Sequence, residues 1–503
     1  MRISPLFLIA FLIAAILTGC AAGPGVIGYR DPAAEFSRNL DYILDDPIFS
    51  SAYWGVYIEI PDTRDVLYHR NENKYFMPAS NMKLFTTAAA LVLFSPNFRY
   101  KTPVYMDGEI TPKGVLMGNI YVVGKGDPTI SGRFSDGNII KTFEDWSDSL
   151  FELGIKEING NITGDDNYFD DQMLGHGWSW DDESYWYAAQ ISALSFNDNC
   201  VDFYIGPGKS AGDPAEISWE PKTGYVTVIN QVVTTEPDSV LDYDYNRLRN
   251  SNIITFSGSF PRNKKVKLEW VSVENPTLYT VTVFKEVLED RGIKVHGKAV
   301  DIDELDFIPD YSSMKRIASY TSPPLSEIIK VVNKVSQNFY AEQLLKTMGK
   351  EYKGEGSIDS GVEVVKDFIR STGISADDFH MYDGSGLSRL NMVTPKQIVT
   401  LLRYMRNHRY FQYFKDSLPI AGVDGTIKNR MKNTKAQGNL VAKTGYIRYV
   451  RALSGYVTTR DGEEVIFSFM ANHYDVPTSM TNEVQDRMGI WLSNFSRRSR
   501  LYP

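Results

Sequence analysis

Cysteine and histidine are scarce in this chain, whose 503 residues include two cysteines and six histidines. Structural zinc sites are built from closely spaced cysteines and histidines, and the sequence has neither a CxxC pair nor a histidine cluster. We therefore expect no metal site and no cofactor. Cys20 lies near the N-terminus, which leaves Cys200 as the one cysteine in the body of the chain. If the protein is exported, its core must hold the fold without an internal disulfide.

Basic residues are also fewer than acidic ones. The chain has 53 Lys and Arg against 62 Asp and Glu, a net charge of −9. Phosphate binding normally needs a basic face, so this balance argues against a nucleic-acid partner. The one basic cluster, NFSRRSRLYP at the C-terminus, is predicted to be a solvated tail. No fixed-period repeat is visible either, which argues against solenoids and propellers.

Long apolar runs are absent except at the N-terminus. Arg2 is followed by an apolar run, Leu6 to Leu17, and then by Thr18-Gly19-Cys20. A short apolar core that ends at small residues is typical of a secretory signal, and LTGC resembles the bacterial lipoprotein box. We expect residues 1–19 to be the signal peptide and Cys20 to be lipidated. The residue after the cysteine is Ala21 and not an Asp, so the pattern predicts a periplasmic, lipid-anchored protein at the outer membrane of a Gram-negative cell.

The chain changes character twice along its length. A strand, a polar turn and a second strand begin at Gly55, and an Ala- and Leu-rich buried helix follows Ser80. Short strands and turns then dominate until about residue 312, after which amphipathic helices return and a hairpin closes the chain. We predict an α/β (α+β) multidomain protein. Residues 20–97 and 313–503 would form one domain, split by a β-rich insertion, 98–312, that holds two small nested domains.

Three short motifs could carry serine-enzyme chemistry: SxxK, SxN and KTG. Each is weak alone, because a chain of this length should contain on the order of one or two chance matches to the first two. Several copies are indeed present, and they begin at Ser80 and Ser312 for SxxK, at Ser37, Ser195 and Ser336 for SxN, and at Lys222 and Lys443 for KTG. Context must therefore decide which copies matter.

Ser80 has the right context for a nucleophile. A serine hydroxyl needs a base to take its proton, and Lys83, three positions on, lies on the same helical face. The helix N-terminus would also stabilise developing negative charge and help to lower the pKa of Lys83. Ser312 has no helical run beginning on it, so we predict a surface turn there.

The second motif must present a hydroxyl and an amide together. Ser336 and Asn338 lie in a strongly helical segment, whereas Ser37 and Ser195 do not. For the third motif, Lys443 follows Ser336 in the chain and leads a hairpin, where a strand can run beside the active-site helix. Lys222 precedes Ser336 and is interpreted as an ordinary strand start after a proline.

The ordered set Ser80-Asn81-Met82-Lys83, Ser336-Gln337-Asn338 and Lys443-Thr444-Gly445 resembles the D-Ala-D-Ala carboxypeptidase/endopeptidase family, the class C low-molecular-mass penicillin-binding proteins. DGSGLSR at 383–389 and GDPT at 126–129 match two further segments of that family. The long gap between the first two motifs also fits, because this family places its extra domains there. The resemblance covers roughly residues 50 to 475 and implies a serine β-lactamase/DD-peptidase transpeptidase-like fold.

The resemblance implies roles for five catalytic residues. Ser80 would be the acylated nucleophile and Lys83 its general base. Ser336 would pass the proton to the leaving amine, and Asn338 would hold the substrate backbone. Lys443 would add positive charge that attracts the terminal carboxylate. The implied substrates are peptidoglycan stem peptides, with β-lactams as covalent inhibitors and a membrane contact through the lipid anchor.

Four further residues are implied to bind substrate. Thr444 would hydrogen-bond the carboxylate, and Gly445 would let the strand approach the ligand closely. The backbone N–H groups of Tyr446 and Ser80 would form the oxyanion hole. Arg389 would face the peptide side chain, and Asp165 is considered for a similar contact, against a plain turn role.

Two alternatives to a DD-peptidase remain open at this stage. A serine β-lactamase would share the chemistry but deacylate fast, and the class A enzymes lack such an insertion. A catalytically silent cell-wall-binding lipoprotein would keep the fold, although its usual mark, a missing motif residue, is absent. Gln337 stands where many family members have Asp, and Tyr446 where many have a small hydroxyl residue, which leaves substrate preference open.

Overall fold

The computed structural model describes residues 31–498. The predicted signal peptide, Cys20 and the last five residues of the basic tail lie outside this range, and lipidation stays a prediction. Within residues 31–498, none of the helices combines the length and the apolar character that a bilayer crossing requires.

Ten α-helices lie within the described residues. Their bounds are α1 Pro32–Leu44, α2 Met82–Phe94, α3 Lys141–Glu152, α4 Pro276–Asp290, α5 Leu325–Lys330, α6 Asn338–Lys353, α7 Ile358–Ser371, α8 Pro395–Arg406, α9 Phe411–Ser417 and α10 Thr478–Asn494. The buried helix predicted after Ser80 is confirmed as α2, which begins directly after a 3₁₀ turn, Ala79–Asn81.

Twenty strands lie within the same range. Their bounds are β1 Tyr53–Ile60, β2 Asp65–Arg70, β3 Lys101–Met106, β4 Glu109–Ile110, β5 Val115–Met117, β6 Ile120–Val123, β7 Glu157–Ile158, β8 Ile162–Asp165, β9 Cys200–Gly206, β10 Glu216–Glu220, β11 Thr227–Thr235, β12 Asp242–Arg247, β13 Ile253–Pro261, β14 Lys267–Ser272, β15 Lys294–Val295, β16 Ala299–Asp301, β17 Lys315–Thr321, β18 Val441–Ile447, β19 Val450–Thr458 and β20 Glu464–Asn472.

The two ends of the chain build one sheet. Its order is β18-β19-β20-β1-β2, all antiparallel, so the first two strands of the chain pair with the last three. Val56 and Ile58 face a core shared with α1 and α10, whereas Tyr57 faces a second core shared with α2, α6 and α8. Helices therefore cover both faces of the sheet, and β18 is left as an edge strand beside the site.

Residues between α2 and α5 form a separate β-rich region with its own hydrophobic core. Its four sheets have the orders β16-β8-β6-β3-β17, β15-β7-β5-β4, β10-β9-β14 and β11-β13-β12. β17 pairs with β3, which extends this region past residue 312, where the sequence analysis placed its border. The reason is that a strand joins the sheet that supplies its partner, whatever the composition of the chain around it. The number of nested domains stays a prediction.

The helix expected around Ser336 is interrupted. α5 ends at Lys330, a single π-helical turn spans Val331–Val335, and Ser336 adopts a left-handed conformation with φ of 67° before α6 begins at Asn338. The expectation that Ser336 lies inside a helix is therefore wrong. A left-handed residue breaks the i to i−4 hydrogen-bond ladder, and functional sites favour such breaks.

The second copies of the SxxK and KTG motifs lie in an exposed turn and an exposed loop. Ser312 is exposed in a turn, where it donates to Asp310, as the sequence predicts. Lys222 lies in the loop between β10 and β11, five residues before the strand begins, and is exposed. It does not start a strand as expected, because residues 221–226 form an irregular loop with bends and β11 begins only at Thr227.

Candidate active site

Ser80 lies in the 3₁₀ turn at the start of α2, and backbone from two other segments packs against this turn. A Cβ on Gly386, which has a φ of +84°, would lie 1.8 Å from the carbonyl oxygen of Ala79. A Cβ on Gly445 would lie 2.5 Å from the carbonyl oxygen of Pro78. Only glycine allows both close approaches, so the nucleophile is held between the DGSGLSR loop and β18.

Lys83 is fully buried one helical turn after Ser80. Its Nζ lies 2.9 Å from Oγ of Ser80, 2.5 Å from Oδ1 of Asn338 and 2.7 Å from the carbonyl oxygen of Ser385. The last two oxygens can only accept hydrogen bonds. A neutral amine has two N–H donors for them and keeps its lone pair for the hydroxyl hydrogen of Ser80. The three contacts therefore suit a base that removes the proton of Ser80.

The electrostatics favour that neutral amine. Burial lowers the pKa of Lys83 to about 7, although the nearby carboxyl groups of Asp383 and Glu342 act in the opposite direction. A general base works best when its pKa lies near the operating pH. Lys83 thus has both the geometry and the proton affinity of a base at neutral pH.

The DGSGLSR loop is organised by two buried carboxyl groups. Asp383 accepts from the backbone N–H groups of Gly386 (2.7 Å) and Ser388 (2.6 Å) and from the indole N–H of Trp178 (2.9 Å). Glu342, on α6, accepts from the N–H groups of Gly384 and Ser385, both at 2.8 Å. Together they place the Ser385 carbonyl beside Lys83.

Glu342 was missed by sequence reasoning. It is fully buried, and burial together with Asp383 raises its pKa to about 8. Its sequence signal is a lone acid among the apolar residues of a helix, FYAEQLL. Such a residue is exposed more often than not, so the pattern alone does not identify it.

Ser336 and Lys443 form the second half of the site. Nζ of Lys443 donates to Oγ of Ser336 at 2.8 Å and to the carbonyl oxygen of Thr444 at 3.0 Å. Lys443 is fully buried, and burial, with the charge of Lys83 nearby, holds its pKa well below the usual value. The structure therefore brings together all five residues that the motifs predict as catalytic, because Asn338 links Lys83 to the helix that follows Ser336.

The residues after Lys443 run along the edge strand. Oγ1 of Thr444 lies 2.7 Å from Oγ1 of Thr426, a second hydroxyl that the sequence analysis did not identify. Gly445 makes a close approach to the backbone of the Ser80 turn. That it also lets the strand approach a ligand stays a prediction. The side chain of Tyr446 is 53% exposed, and the Arg451 guanidinium lies 4.7 Å from its ring centroid.

A cavity of about 770 Å³, called the catalytic cavity below, opens over these residues. Its wall includes the predicted residues Ser80, Ser336, Asn338, Arg389, Thr444 and Tyr446. Three further arginines also line it: Arg430, Arg448 and Arg451. They were missed because they are spread over a loop, a turn and β19, with no spacing that marks them. Arg389 donates to the carbonyl oxygen of Arg448 at 3.2 Å.

The inserted region supplies the opposite wall of the catalytic cavity. The Trp-rich stretch contributes Ser179, Asp181, Trp186 and Tyr187. The carbonyl oxygen of Tyr187 accepts from Nδ2 of Asn338 at 2.7 Å, which sets the orientation of that amide. The inserted region therefore orients one residue of the SxN motif.

Asp165 and the GDPT segment do not line this cavity. Asp165 accepts from the Tyr311 hydroxyl at 2.5 Å and from the backbone N–H of Asn167, which is the turn role considered for it. Asp127 of GDPT accepts from the hydroxyl of Thr129 at 2.6 Å, and burial raises its pKa to about 6. Both segments hold the inserted region in shape.

One group of carboxylates within the described residues has the spacing of a metal site: Asp166, Asp301 and Asp303. The hydroxyls of Ser192 and Thr277 donate to Asp166, so that carboxylate has protein partners of its own. None of these three carboxylates lines the catalytic cavity.

The chain is similar to known proteins over most of its length. The model of the D-Ala-D-Ala carboxypeptidase 3 (S13) family matches residues 36–495. A D-alanyl-D-alanine carboxypeptidase of Actinomadura sp. (strain R39) is 33% identical over 473 residues, covering 92% of this chain and 85% of that protein. D-alanyl-D-alanine carboxypeptidase DacB of Haemophilus influenzae is 28% identical over 414 residues, covering 80% and 82%.

The fold has a solved counterpart. The crystal structure of penicillin binding protein 4 (dacB) from Haemophilus influenzae superposes with a TM-score of 0.78 at 24% identity, over 91% of this chain and all of that one. This likeness confirms the predicted fold class, a transpeptidase-like domain that carries a large insertion. The chain belongs to the D-Ala-D-Ala carboxypeptidase 3 (S13) family, whose members are peptidases, as the order of its three motifs predicted.

Proposed function

We propose that this protein removes the terminal D-Ala of peptidoglycan stem peptides through an acyl-enzyme on Ser80. The observation that carries the proposal is the 2.9 Å contact between Oγ of Ser80 and Nζ of Lys83, an amine whose pKa burial lowers to about 7. A serine next to a base that is partly neutral at physiological pH is an activated nucleophile.

The first half-reaction forms an ester. Lys83 takes the hydroxyl proton of Ser80 as Oγ attacks the carbonyl carbon of the penultimate D-Ala. The oxyanion that develops would be held by the backbone N–H groups of Ser80 and Tyr446, and removal of one such donor costs about 10² to 10³ in rate in known cases. β18 is an edge strand, which leaves its outward N–H groups available to a ligand.

The leaving amine needs a proton when the amide bond breaks. Ser336 would pass to that amine the proton that Lys83 took from Ser80, which returns Lys83 to its neutral form; the Ser336 hydroxyl accepts from Lys443 and lines the catalytic cavity. Water then attacks the ester carbonyl as Lys83 accepts its proton, and Lys83 returns that proton to Oγ of Ser80 when the ester bond breaks, so both residues are regenerated. Cleavage of a D-Ala cross-link would follow the same steps with a larger leaving amine.

The terminal carboxylate of the substrate needs a positive partner, and we propose Arg451 for that role. Lys443 is committed to Ser336 and its pKa is lowered, so it is a weak anchor. Arg451, on β19, pairs with Tyr446 of β18 and lines the catalytic cavity. It has no carboxylate partner among residues 31–498, whereas Arg430 is paired with Asp486 at 2.8 Å. Burial and Arg430 lower the pKa of Arg451 to about 10, which a bound anion would reverse.

The proposal is tested with a fluorescent penicillin on the soluble chain that starts after Cys20. A stable adduct on Ser80, located by peptide mass, and its loss in Ser80→Ala are the expected results. Ser312→Ala, at the exposed second SxxK copy, is the matched control and keeps the label. Release of D-Ala from a pentapeptide and cleavage of a cross-linked dimer are then measured on the same preparation. Rapid drug hydrolysis without an adduct would instead establish a β-lactamase. If the drug neither labels the protein nor is hydrolysed, the protein is a catalytically silent binder.

Location is a separate proposal. We propose that the mature chain is anchored in the periplasm through a lipid on Cys20, on the strength of the LTGC box. Metabolic labelling with a fatty acid analogue tests it, with Cys20→Ala as the variant that should lose the label. Labelling that persists in the variant would contradict the proposal.

A further inference from the structure

The side chain of Trp186 lies where three cavities meet. The first is the catalytic cavity. The second, called the Trp270 cavity, has a volume of about 450 Å³, and the third, called the Tyr243 cavity, about 480 Å³. Trp186 lines all three, and Val335 separates the catalytic cavity from the Trp270 cavity. The second and third cavities therefore continue from the site already described onto the inserted region.

The SQN triplet faces two of these cavities. Ser336 and Asn338 line the catalytic cavity, whereas Gln337 between them lines the Trp270 cavity. A ligand in the Trp270 cavity would thus lie one residue away from the proposed proton relay. The Trp270 cavity therefore adjoins the candidate substrate site, and the residues that line it determine which ligand it can hold.

The mouth of the Trp270 cavity presents exposed apolar faces. Trp270 is 44% exposed, Leu268 38% and Val335 47%, and all three line the cavity. The indole rings of Trp186 and Trp270 meet edge to face with centroids 6.5 Å apart. Contiguous exposed apolar side chains are typical of interaction surfaces and ligand-binding grooves.

The interior of the Trp270 cavity holds hydrogen-bond acceptors that lack donors. Gln337 is only 3% exposed, and its Nε2 donates to Oδ2 of Asp198 at 2.9 Å. The remaining oxygens, Oε1 of Gln337 and Oδ1 of Asp198, have no partner among residues 31–498. Buried acceptors of this kind are costly unless a donor reaches them. A ligand that supplies O–H or N–H groups would satisfy both.

The charged residues that line the Trp270 cavity limit which ligands it can bind. Three carboxylates, Asp198, Asp202 and Glu220, face one guanidinium, that of Arg133, which pairs with Asp198 at 2.7 Å. Burial raises the pKa of Asp202 to about 6, and the neighbouring acids add to that effect. An anionic ligand would be repelled. A neutral ligand that is rich in hydroxyl groups and has an apolar face fits both the carboxylates and the indole rings.

The Tyr243 cavity repeats the same chemistry on the other side of β14. Leu268 and Trp270 point to the Trp270 cavity, while Lys267 and Glu269 point to the Tyr243 cavity, as alternation along a strand requires. The rest of its lining, besides Trp186, consists of Tyr185, Leu241, Tyr243, Asp244 and Tyr245. Two adjoining cavities with aromatic walls and carboxylates suit an extended ligand with a repeating unit.

We propose that the Trp270 cavity, continued by the Tyr243 cavity, is a saccharide-binding site. Aromatic faces pack against the C–H faces of pyranose rings, and the carboxylate and amide oxygens accept from ring hydroxyls and acetamido N–H groups. The occupant is a chain of N-acetylated amino sugars. That it is the glycan strand whose stem peptide enters the catalytic cavity rests on the proposed function, whereas the saccharide chemistry does not.

Direct binding is the first test. The probe is the β-1,4-linked trimer of N-acetylglucosamine, titrated calorimetrically into the soluble chain. We expect binding that Trp270→Ala weakens about tenfold or more, a loss of at least about 1.4 kcal/mol. Glu220→Gln should weaken it too. Trp180→Ala removes an exposed tryptophan that lines none of the three cavities, and it should bind like the parent. Trp270→Phe, which keeps an aromatic face, guards against a folding defect and should retain most of the binding.

A second readout separates this inference from the proposed function. Hydrolysis of a disaccharide-pentapeptide is compared with that of the same pentapeptide without sugars, and penicillin labelling of Ser80 is followed in parallel. We expect Trp270→Ala to lower kcat/KM for the sugar-bearing substrate alone and to leave the labelling unchanged. No trimer binding by the parent, or equal binding by Trp270→Ala, overturns the saccharide site. Trimer binding that depends on Trp270 in a chain that penicillin does not label supports the site and overturns the proposed function.

Discussion

Lys83 and Asn338 are 255 residues apart in the sequence, yet Nζ of the first lies 2.5 Å from Oδ1 of the second. The other end of the same amide donates to the carbonyl oxygen of Tyr187, so its orientation is set by the inserted region. An amide oxygen accepts without adding charge. It can therefore hold the amine in place while leaving the pKa of Lys83 low.

Lys83 is predicted to be essential for acylation. Lys83→Ala should lower the rate of penicillin acylation by about 10² to 10⁴, the usual contribution of a general base. Lys83→Arg should be as poor, because a guanidinium stays protonated and cannot accept the proton of Ser80. Stopped-flow measurement of labelling checks both variants, and thermal unfolding shows whether they are folded. Full activity in Lys83→Arg would exclude Lys83 as the base.

The acylation rate should depend on pH through the protonation of Lys83. Its pKa is lowered to about 7 by burial. Below that pH the amine is protonated and inactive as a base, so the rate should fall as the pH drops and reach a plateau above about 8. The second-order rate of penicillin labelling between pH 5 and 9 measures this profile. A profile that is flat across this range would contradict the assignment.

Asn338→Asp should move that profile to higher pH. A carboxylate 2.5 Å from Nζ would favour the ammonium form, and an opposite charge this close shifts a pKa by about one to three units. Acylation at pH 7 should therefore fall, and the loss should be recovered in part at higher pH. Asn338→Ala serves as the comparison, since it removes the contact without adding charge and should leave the midpoint at or below that of the parent.

Gly386→Ala should disrupt the nucleophile turn. Its Cβ would lie 1.8 Å from the Ala79 carbonyl, and its φ is +84°. Gly373 is the matched control, because its φ of +88° is just as unfavourable for alanine but nothing lies within 4 Å of its Cβ. Gly373→Ala should cost about 1 to 2 kcal/mol of stability and keep its penicillin labelling. Gly386→Ala should be less stable and unlabelled, and equal behaviour of the two variants would show that the contact with Ala79 is unimportant.

Arg451→Ala should raise KM for peptides with a free terminal carboxylate and leave the small activity towards the matching C-terminal amides nearly unchanged. The reason is that an anion without its guanidinium loses a charge-assisted hydrogen bond, worth about 1.5 to 3 kcal/mol. Arg451→Lys should restore part of the loss. Arg409→Ala removes an exposed arginine on the loop after α8 and serves as the control. Equal losses for acid and amide substrates would show a structural role instead.

The Ser80 end of the site was predictable because its geometry is local. A serine and a lysine three positions apart at the start of a helix must lie on one face, and the Ala- and Leu-rich run after them indicates a buried helix. Burial of Lys83, and with it the lowered pKa, follows from the same run. The choice of Lys443 over Lys222 rested on chain order, and the structure places Lys443 beside Ser336.

Other parts of the site depend on contacts between distant segments and left no signal in the sequence. The break at Ser336 falls inside a continuous helical pattern, because the pattern records burial and not backbone conformation. Glu342 looks like a surface acid, although its partners are the N–H groups of Gly384 and Ser385, some forty residues away. Arg451 becomes a cavity residue only when β19 pairs with β18.

The sequence by itself thus determined the family, the fold class and the candidate catalytic residues, since short-range spacing and motif order are properties of the chain alone. The tertiary structure decided which groups are buried, which face each cavity and how the insertion contributes. Its Trp-rich stretch orients Asn338 and forms one wall of the catalytic cavity, and β17 belongs to the insertion's sheet. These features arise from packing between segments hundreds of residues apart, and such packing is set by shape and burial that no local pattern encodes.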